Sequence, residues 1–133
     1  MNRSRNQNAL LMEIMITVLF FALCASVILE TFVTAREYSR DAGIYDVVLI
    51  EMQNLAERFS VADAPQDVLD AEGFVHEDGL WMLDGGHYSL EVELGWEGAP
   101  AGGIETAVIR AVRRGKTIAE MPWARYLPGE VAP

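Results

Sequence analysis

The sequence predicts an α+β fold: a long N-terminal helix, membrane-spanning in its first half and amphipathic in its second, packed on a small antiparallel β-meander. Three observations predict it. Ala9 to Leu29 is an apolar run interrupted only by Glu13, Thr17 and Ser26. No proline occurs before Pro65 and the only glycine ahead of it is Gly43, so nothing stops a helix that starts in that run. Beyond Gly73 the pattern changes to alternation between glycine-containing turns, which is the signature of strands.

The chain has 133 residues, enough for one modest domain with an appendage and too few for a multidomain enzyme. Its 20 acidic and 10 basic side chains give a net charge of −10, which excludes the basic footprint that nucleic acid requires, so no nucleic acid is expected to bind directly. The charge is unevenly spread. Residues 1–8 carry Arg3 and Arg5 and no acid, and the apolar run carries only Glu13. Cys24 is the only cysteine, so an intrachain disulfide is impossible and the polar remainder must be held by its own packing.

Residues 9–29, read as the transmembrane half of the helix, reach roughly 30 Å at about 1.5 Å per residue, which matches one bilayer crossing. Arg3 and Arg5 precede the run and acids dominate the residues beyond it, which orients a single pass with its N-terminus in the cytoplasm. The run is too long for a cleaved secretory signal, and Leu23 stands where a lipoprotein signal needs a small residue before Cys24. Glu13 separates a plain signal anchor from something sharper. A carboxylate within a membrane helix costs about 2.5–3.5 kcal/mol at the centre and less near an end, and it asks for a cationic partner. The run contains none, so the nearest candidate is an α-amino group created by cutting just before it, on a neighbouring copy.

Residues 30–60 continue the helix as its amphipathic half. Phe32, Tyr38, Tyr45, Val48, Met52, Leu55 and Phe59 recur at spacings that mark one face, while Arg36, Glu37, Arg40, Asp41, Glu51, Glu57 and Arg58 fall largely elsewhere. Tyr45, Val48, Met52, Leu55 and Phe59 are the predicted helix–sheet core. Residues 61–133 form the extracytoplasmic sheet domain. It opens with a short helix at Pro65 to Ala71, with Asp63 as N-cap and Gly73 as stop. Strands are expected at Phe74 to His76, Leu80 to Leu83, His87 to Trp96, Ile104 to Arg113 and Thr117 to Tyr126, with Gly95 to Gly103 as a loop and Glu130 to Pro133 as a loose tail. Tyr88, Leu90, Val92, Leu94 and Trp96 alternate with polar or small residues, so the sheet has one apolar face for the helix to cover. Pro122 places the last strand at an edge.

The stretch Asn8-Ala9-Leu10-Leu11-Met12-Glu13-Ile14-Met15-Ile16-Thr17-Val18-Leu19 resembles the class III signal of type IV pilins and type II secretion pseudopilins: a short basic leader, a cleavage point, then an apolar helix whose fifth residue is Glu. Asn8 stands where that family usually has Gly, and Ala9 where it often has Phe. A long helix followed by a small antiparallel sheet is the pilin-like build, and the missing C-terminal cysteine pair makes the chain more similar to a minor pilin or pseudopilin. The resemblance implies that residues 1–8 are a leader and that prepilin peptidase cuts between Asn8 and Ala9 on the cytoplasmic side. It implies methylation of the new amino group and pairing of Glu13 with a neighbouring Ala9 amine as the filament assembles. The partners so implied are other pilin subunits, the membrane, the peptidase, and an assembly platform with its ATPase; no cofactor is implied.

Two other readings stand beside this one. An uncleaved signal-anchored exported module would use the sheet for recognition, and a component of a membrane complex would set Glu13 against a basic helix of another protein. Catalysis is not expected. His76 and His87 lie among Glu77, Asp78 and Asp84 without zinc or calcium spacing, and Ser89 has no positioned third group or oxyanion hole. The bases Arg110, Arg113, Arg114 and Lys116 stand out on an acidic chain, either as a solvated hairpin tip or as a dock for an acidic neighbour.

Overall fold

A computed structural model describes residues 2–129; the expected tail at Glu130 to Pro133 lies outside the described residues. The elements are α1 (Asn2–Val61), α2 (Pro65–Glu72), β1 (Val75–Glu77), β2 (Leu80–Asp84), β3 (Ser89–Ala99), β4 (Gly102–Arg113) and β5 (Lys116–Pro128). The chain divides into two compact units, Met1–Gly43 and Ile44–Pro133.

The first unit is helix alone. α1 begins at Asn2 rather than at Ala9, so the basic residues expected as a separate leader are already helical. Its side chains from Arg3 to Gly43 are exposed apart from half-buried Cys24, and this includes residues 30–43, where an amphipathic face was expected to be covered. Phe32 and Tyr38 are 74% and 72% exposed. Aromatic spacing identifies the stripe, but nothing within this unit lies opposite it.

The second unit is a five-stranded sheet in the order β1-β2-β3-β4-β5, every pair antiparallel, covered on one face by the rest of α1 and by α2. The expected meander is what forms, and Pro122, opposite Val108, lies on edge strand β5, where its missing N–H breaks no internal ladder. Val48, Met52, Leu55 and Phe59 of α1 are buried against Trp81, Leu90, Val92, Ala107, Ile109, Ala111 and Ala119 of the sheet, joined by Leu69 and Phe74. Tyr45, expected with them, is 43% exposed. Ile44, four residues before Val48, is the one that packs against the core in this turn, and Tyr45 lies beside it on the exposed side of the stripe.

Two local expectations need correction. Asp63 does not cap α2: the N-cap is Ala64, which offers no side-chain bond, and Pro65 comes next at the first helical position, where its missing N–H costs nothing. The stop at Gly73 does form, at φ 84°, with the Gly73 N–H on the Asp70 carbonyl and the Phe74 N–H on the Leu69 carbonyl. Leu69 and Phe74 are both buried, which completes the cap with an apolar contact. The stretch Gly95 to Gly103, expected as a loop, is mostly strand, because β3 and β4 pair as far as Ala99 with Gly102 and leave only Pro100 and Ala101 to turn. Gly103 permits this. The Trp96 ring lies across it, and a Cβ there would fall 1.9 Å from Trp96 Cζ2, so glycine is required by the close approach rather than by a loop.

The end of α1 is fixed to the sheet by Arg125. Its Nη1 donates to the carbonyls of Phe59 and Ala62, its Nη2 donates to the carbonyl of Asp63 at 3.1 Å, and the same Nη2 meets Glu105 Oε2 at 2.8 Å. A cation here satisfies the unbonded carbonyls of the last helical turn and lies at the negative end of the helix dipole. Trp123 reinforces the contact, with Nε1 donating to Ser60 Oγ at 3.0 Å and its ring edge-on to Phe59 at 5.5 Å. Arg125→Leu should therefore destabilise the second unit by about 3 kcal/mol, because it strands Glu105 and the helix carbonyls together. Arg110→Leu, on the solvent face of β4, should leave the denaturant midpoint of the detergent-solubilised chain near the parent's; equal midpoint losses for the two variants would contradict this assignment.

Candidate functional site

The residues singled out from the sequence fall in three places. In the first unit, α1 is long and apolar enough to cross a membrane, and its apolar side chains from Leu10 to Leu29 are exposed around the helix. All-round apolar exposure is a surface that water does not tolerate and hydrocarbon does. The polar side chains within and just beyond the run are internally satisfied. Thr17 donates to the Glu13 carbonyl at 2.8 Å, Ser26 to Ala22 at 3.0 Å, Thr31 to Val27 at 2.8 Å and Thr34 to Glu30 at 2.9 Å. Each hydroxyl thereby keeps a partner without water.

Glu13 differs from them. It is exposed, its carboxylate makes no ion pair among the described residues, and its helical neighbours at three and four positions are Leu10, Ile16, Ala9 and Thr17. Ala9 lies one turn before it on the same face. Asn8 and Ala9, the expected cleavage pair, sit within α1 rather than at its start. An enzyme cutting there must first unwind a helical turn, since hydrolysis needs an extended peptide.

The histidine and serine candidates do not converge. His76 on β1 stacks against Trp81 at 4.7 Å, Ser89 Oγ donates to the Val112 carbonyl at 3.4 Å, and His87 lies in the β2–β3 connection. Among the described residues no group of three or more His, Cys, Asp or Glu is placed to hold a metal ion.

The basic cluster separates into two. Arg110 lies on the solvent face of β4 between Glu120 at 2.9 Å and Glu93 at 3.1 Å, and these hydrogen bonds, Glu120 first, hold its guanidinium more firmly protonated than usual. Arg113, Arg114 and Lys116 are at the β4–β5 turn.

Sequence reasoning missed two contacts of the second unit. One is Arg125 with Glu105, which stand on neighbouring strands with nothing in their spacing to mark them. The other is Tyr88, whose hydroxyl donates to the Glu51 carboxylate and so ties the β2–β3 connection to α1. In the sequence Tyr88 shows itself only as part of the apolar alternation of the strand expected at His87 to Trp96, whereas the strand begins at Ser89. Burial, then the hydrogen bond to Glu51 and its charge, push the Tyr88 hydroxyl up to about 12.

Compared with family models, with curated proteins and with solved structures, the chain finds no match.

The Tyr88 shift has a definite sign. Below the ordinary value of 10.0 both folded and unfolded chains keep the proton and pH has no effect through this group. As pH rises from there towards 12 the unfolded chain ionises first, so the stabilisation is progressively lost. Stability measured across that window should fall less steeply for Tyr88→Phe than for the parent; parallel slopes would show that the hydroxyl does not engage Glu51.

Proposed function

We propose that the chain is a structural subunit, of the minor kind, of a type IV pilus or pseudopilus, anchored in a membrane by residues 9–29 until it assembles. The observation that supports this most is the coincidence of an exposed apolar stretch with one carboxylate near its start that makes no ion pair among the described residues, on a chain whose remainder is a helix-covered antiparallel meander. Such a stretch is stable in lipid or against copies of itself. Glu13 makes the second environment selective. An amine at Ala9, one turn away on the same face, would offer it a countercharge on its own chain in the membrane and on a neighbour in a filament.

The mechanism is physical rather than catalytic. Subunits held in the bilayer are lifted out as their apolar helices bundle, and a copy that enters with its carboxylate unpaired carries a charge into an apolar setting. Glu13 thereby sets register, and the sheet units form the outer layer of the filament. Cleavage before Ala9, methylation of its amine, and lifting by a platform with a cytoplasmic ATPase belong to this reading. No cofactor and no bound nucleic acid enter it.

The continuous helix through Asn8 and Ala9 favours a second reading, an uncleaved signal-anchored exported module with a cytoplasmic N-terminus. N-terminal sequencing and intact mass separate the two. The filament reading expects residues 1–8 to be missing from membrane-extracted protein. It also expects Glu13→Ala to insert normally yet enter filaments about tenfold less or worse, because the neighbouring amine is left unpaired. An intact N-terminus together with full incorporation of Glu13→Ala would overturn it.

A further inference from the structure

We infer that the β4–β5 turn at residues 113–116 is a docking tip for the acidic α2 face of a second copy of this chain. The inference deepens the filament reading and rests on it, and four observations carry it.

The first is the use of cations. From Ile44 onward the chain has six bases. Arg58 pairs with Glu72, Arg110 with Glu93 and Glu120, and Arg125 with Glu105, all within the unit. Arg113, Arg114 and Lys116 stand together at one turn. Arg114 and Lys116 are exposed and make no ion pair among the described residues.

The second is backbone strain at that turn. Arg114 has φ 54° and Gly115 φ 74°, the pair of positive angles that a tight two-residue hairpin needs. The β1–β2 turn meets the same demand with Asp78 at φ 50° and Gly79 at φ 83°. Aspartate tolerates that region because its short polar side chain bonds locally, whereas arginine gains nothing there. Turn geometry therefore does not select Arg114, and strain kept at an exposed cation points to a use for the charge.

The third is an unmatched acidic row. Asp63, Asp67 and Asp70 recur at intervals of four and three along α2 and its approach, all exposed, and none makes an ion pair among the described residues. The last turn of α2 has no base, so Asp70 and Glu72 oppose the helix dipole. Arg58 relieves Glu72. Nothing among the described residues of the unit relieves Asp70.

The fourth is placement. The tip comes just after Val112, which pairs with Ser89 at one end of the sheet, while the Asp63 carbonyl is held by Arg125, nine residues further along β5. At about 3.3 Å per residue the two lie roughly 30 Å apart, so one copy cannot satisfy both from within. A contact between unlike surfaces is head-to-tail, so it repeats from copy to copy, closing into a ring where the rotation allows and otherwise running on as a filament. An anionic lipid surface is the competing occupant, but lipid recognition by charge uses clusters of about four to eight bases, more than this turn has.

The test uses the full-length chain in membranes, as two differently tagged populations solubilised together and captured through one tag. R114E/K116E in one copy should lower co-capture about tenfold. D63K/D70K in the other copy should do the same alone and restore co-capture when the two are combined. Arg114→Asn should raise the denaturant midpoint, since asparagine suits the turn, while lowering co-capture. Failure of the combined reversal to restore capture, or unchanged co-capture in R114E/K116E with weaker binding to phosphatidylglycerol vesicles, overturns the proposal. Co-capture restored while Glu13→Ala assembles normally would uphold the docking tip and sink the filament role of Glu13, so the two failures are distinguishable.

Discussion

The guanidinium of Arg125 is the interaction on which the second unit depends. A meander of five strands has one apolar face and no means of covering it, and α1 covers it only if the end of the helix is held in place. Arg125 does this from β5 by reaching three carbonyls at the helix terminus and the Glu105 carboxylate at once. A lysine, with one compact ammonium, has no comparable fork. The arrangement is itself costly. Arg125 and Glu105 are 19% and 13% exposed, and Arg125 Nε is buried without an acceptor, so partial desolvation offsets some of the gain. The contact is therefore better understood as fixing where α1 ends than as a large net source of stability, which comes from Phe59, Met52 and Val48 packed beneath it.

The same helix meets two different solvation problems along its length. From Ile44 it has one buried stripe and a wet face, the ordinary condition of a helix on a sheet. Before Gly43 it has no buried stripe, and from Leu10 to Leu29 it is apolar all round, so its backbone and its hydroxyls must be satisfied internally. They are, and this leaves Glu13 as the one group in that stretch whose requirement cannot be met by its own helix.

Most of the fold was legible because each element declares itself over many residues. The absence of breakers before Pro65 and the alternation of Leu90, Val92, Leu94 and Trp96 give long, redundant patterns, and the edge position of Pro122 is dictated by its chemistry alone. What was not legible depends on a single contact or on where a neighbour stops. Tyr45 has the spacing of a core residue and is uncovered because Ile44, beside it and four residues before Val48, takes the core-facing place in that turn. Gly103 looks like a loop glycine and is a strand glycine because Trp96 lies on it, a fact of register that no local window contains. Arg110 and Arg114 are close in sequence and of similar type, yet one is enclosed by Glu93 and Glu120 and the other tops a strained turn. Of the candidate site, Glu13 was visible as an acid in an apolar run, whereas the helical state of Asn8 and Ala9 was not, since polar residues ahead of a helix usually mark its start.

The proposed association of copies of so acidic a chain raises an electrostatic difficulty that its charge arrangement would answer. Two copies, each of net charge −10, repel one another. At physiological ionic strength that repulsion is screened beyond about 8 Å, so only the surfaces that touch matter. Apolar helices can drive copies together but cannot discriminate between rotations and slides, because packing among similar aliphatic side chains is nearly indifferent to both. Discrimination has to come from points where charge is sparse and of the right sign. In this chain such points are few. Glu13 is the single acid of the apolar run, and the β4–β5 turn holds Arg114 and Lys116 apart from the bases Arg58, Arg110 and Arg125 that are paired within the second unit. An excess of acid elsewhere disfavours juxtapositions that bring like charges together, so in the proposed assembly the net charge that opposes association in general would also give those few contacts their selectivity.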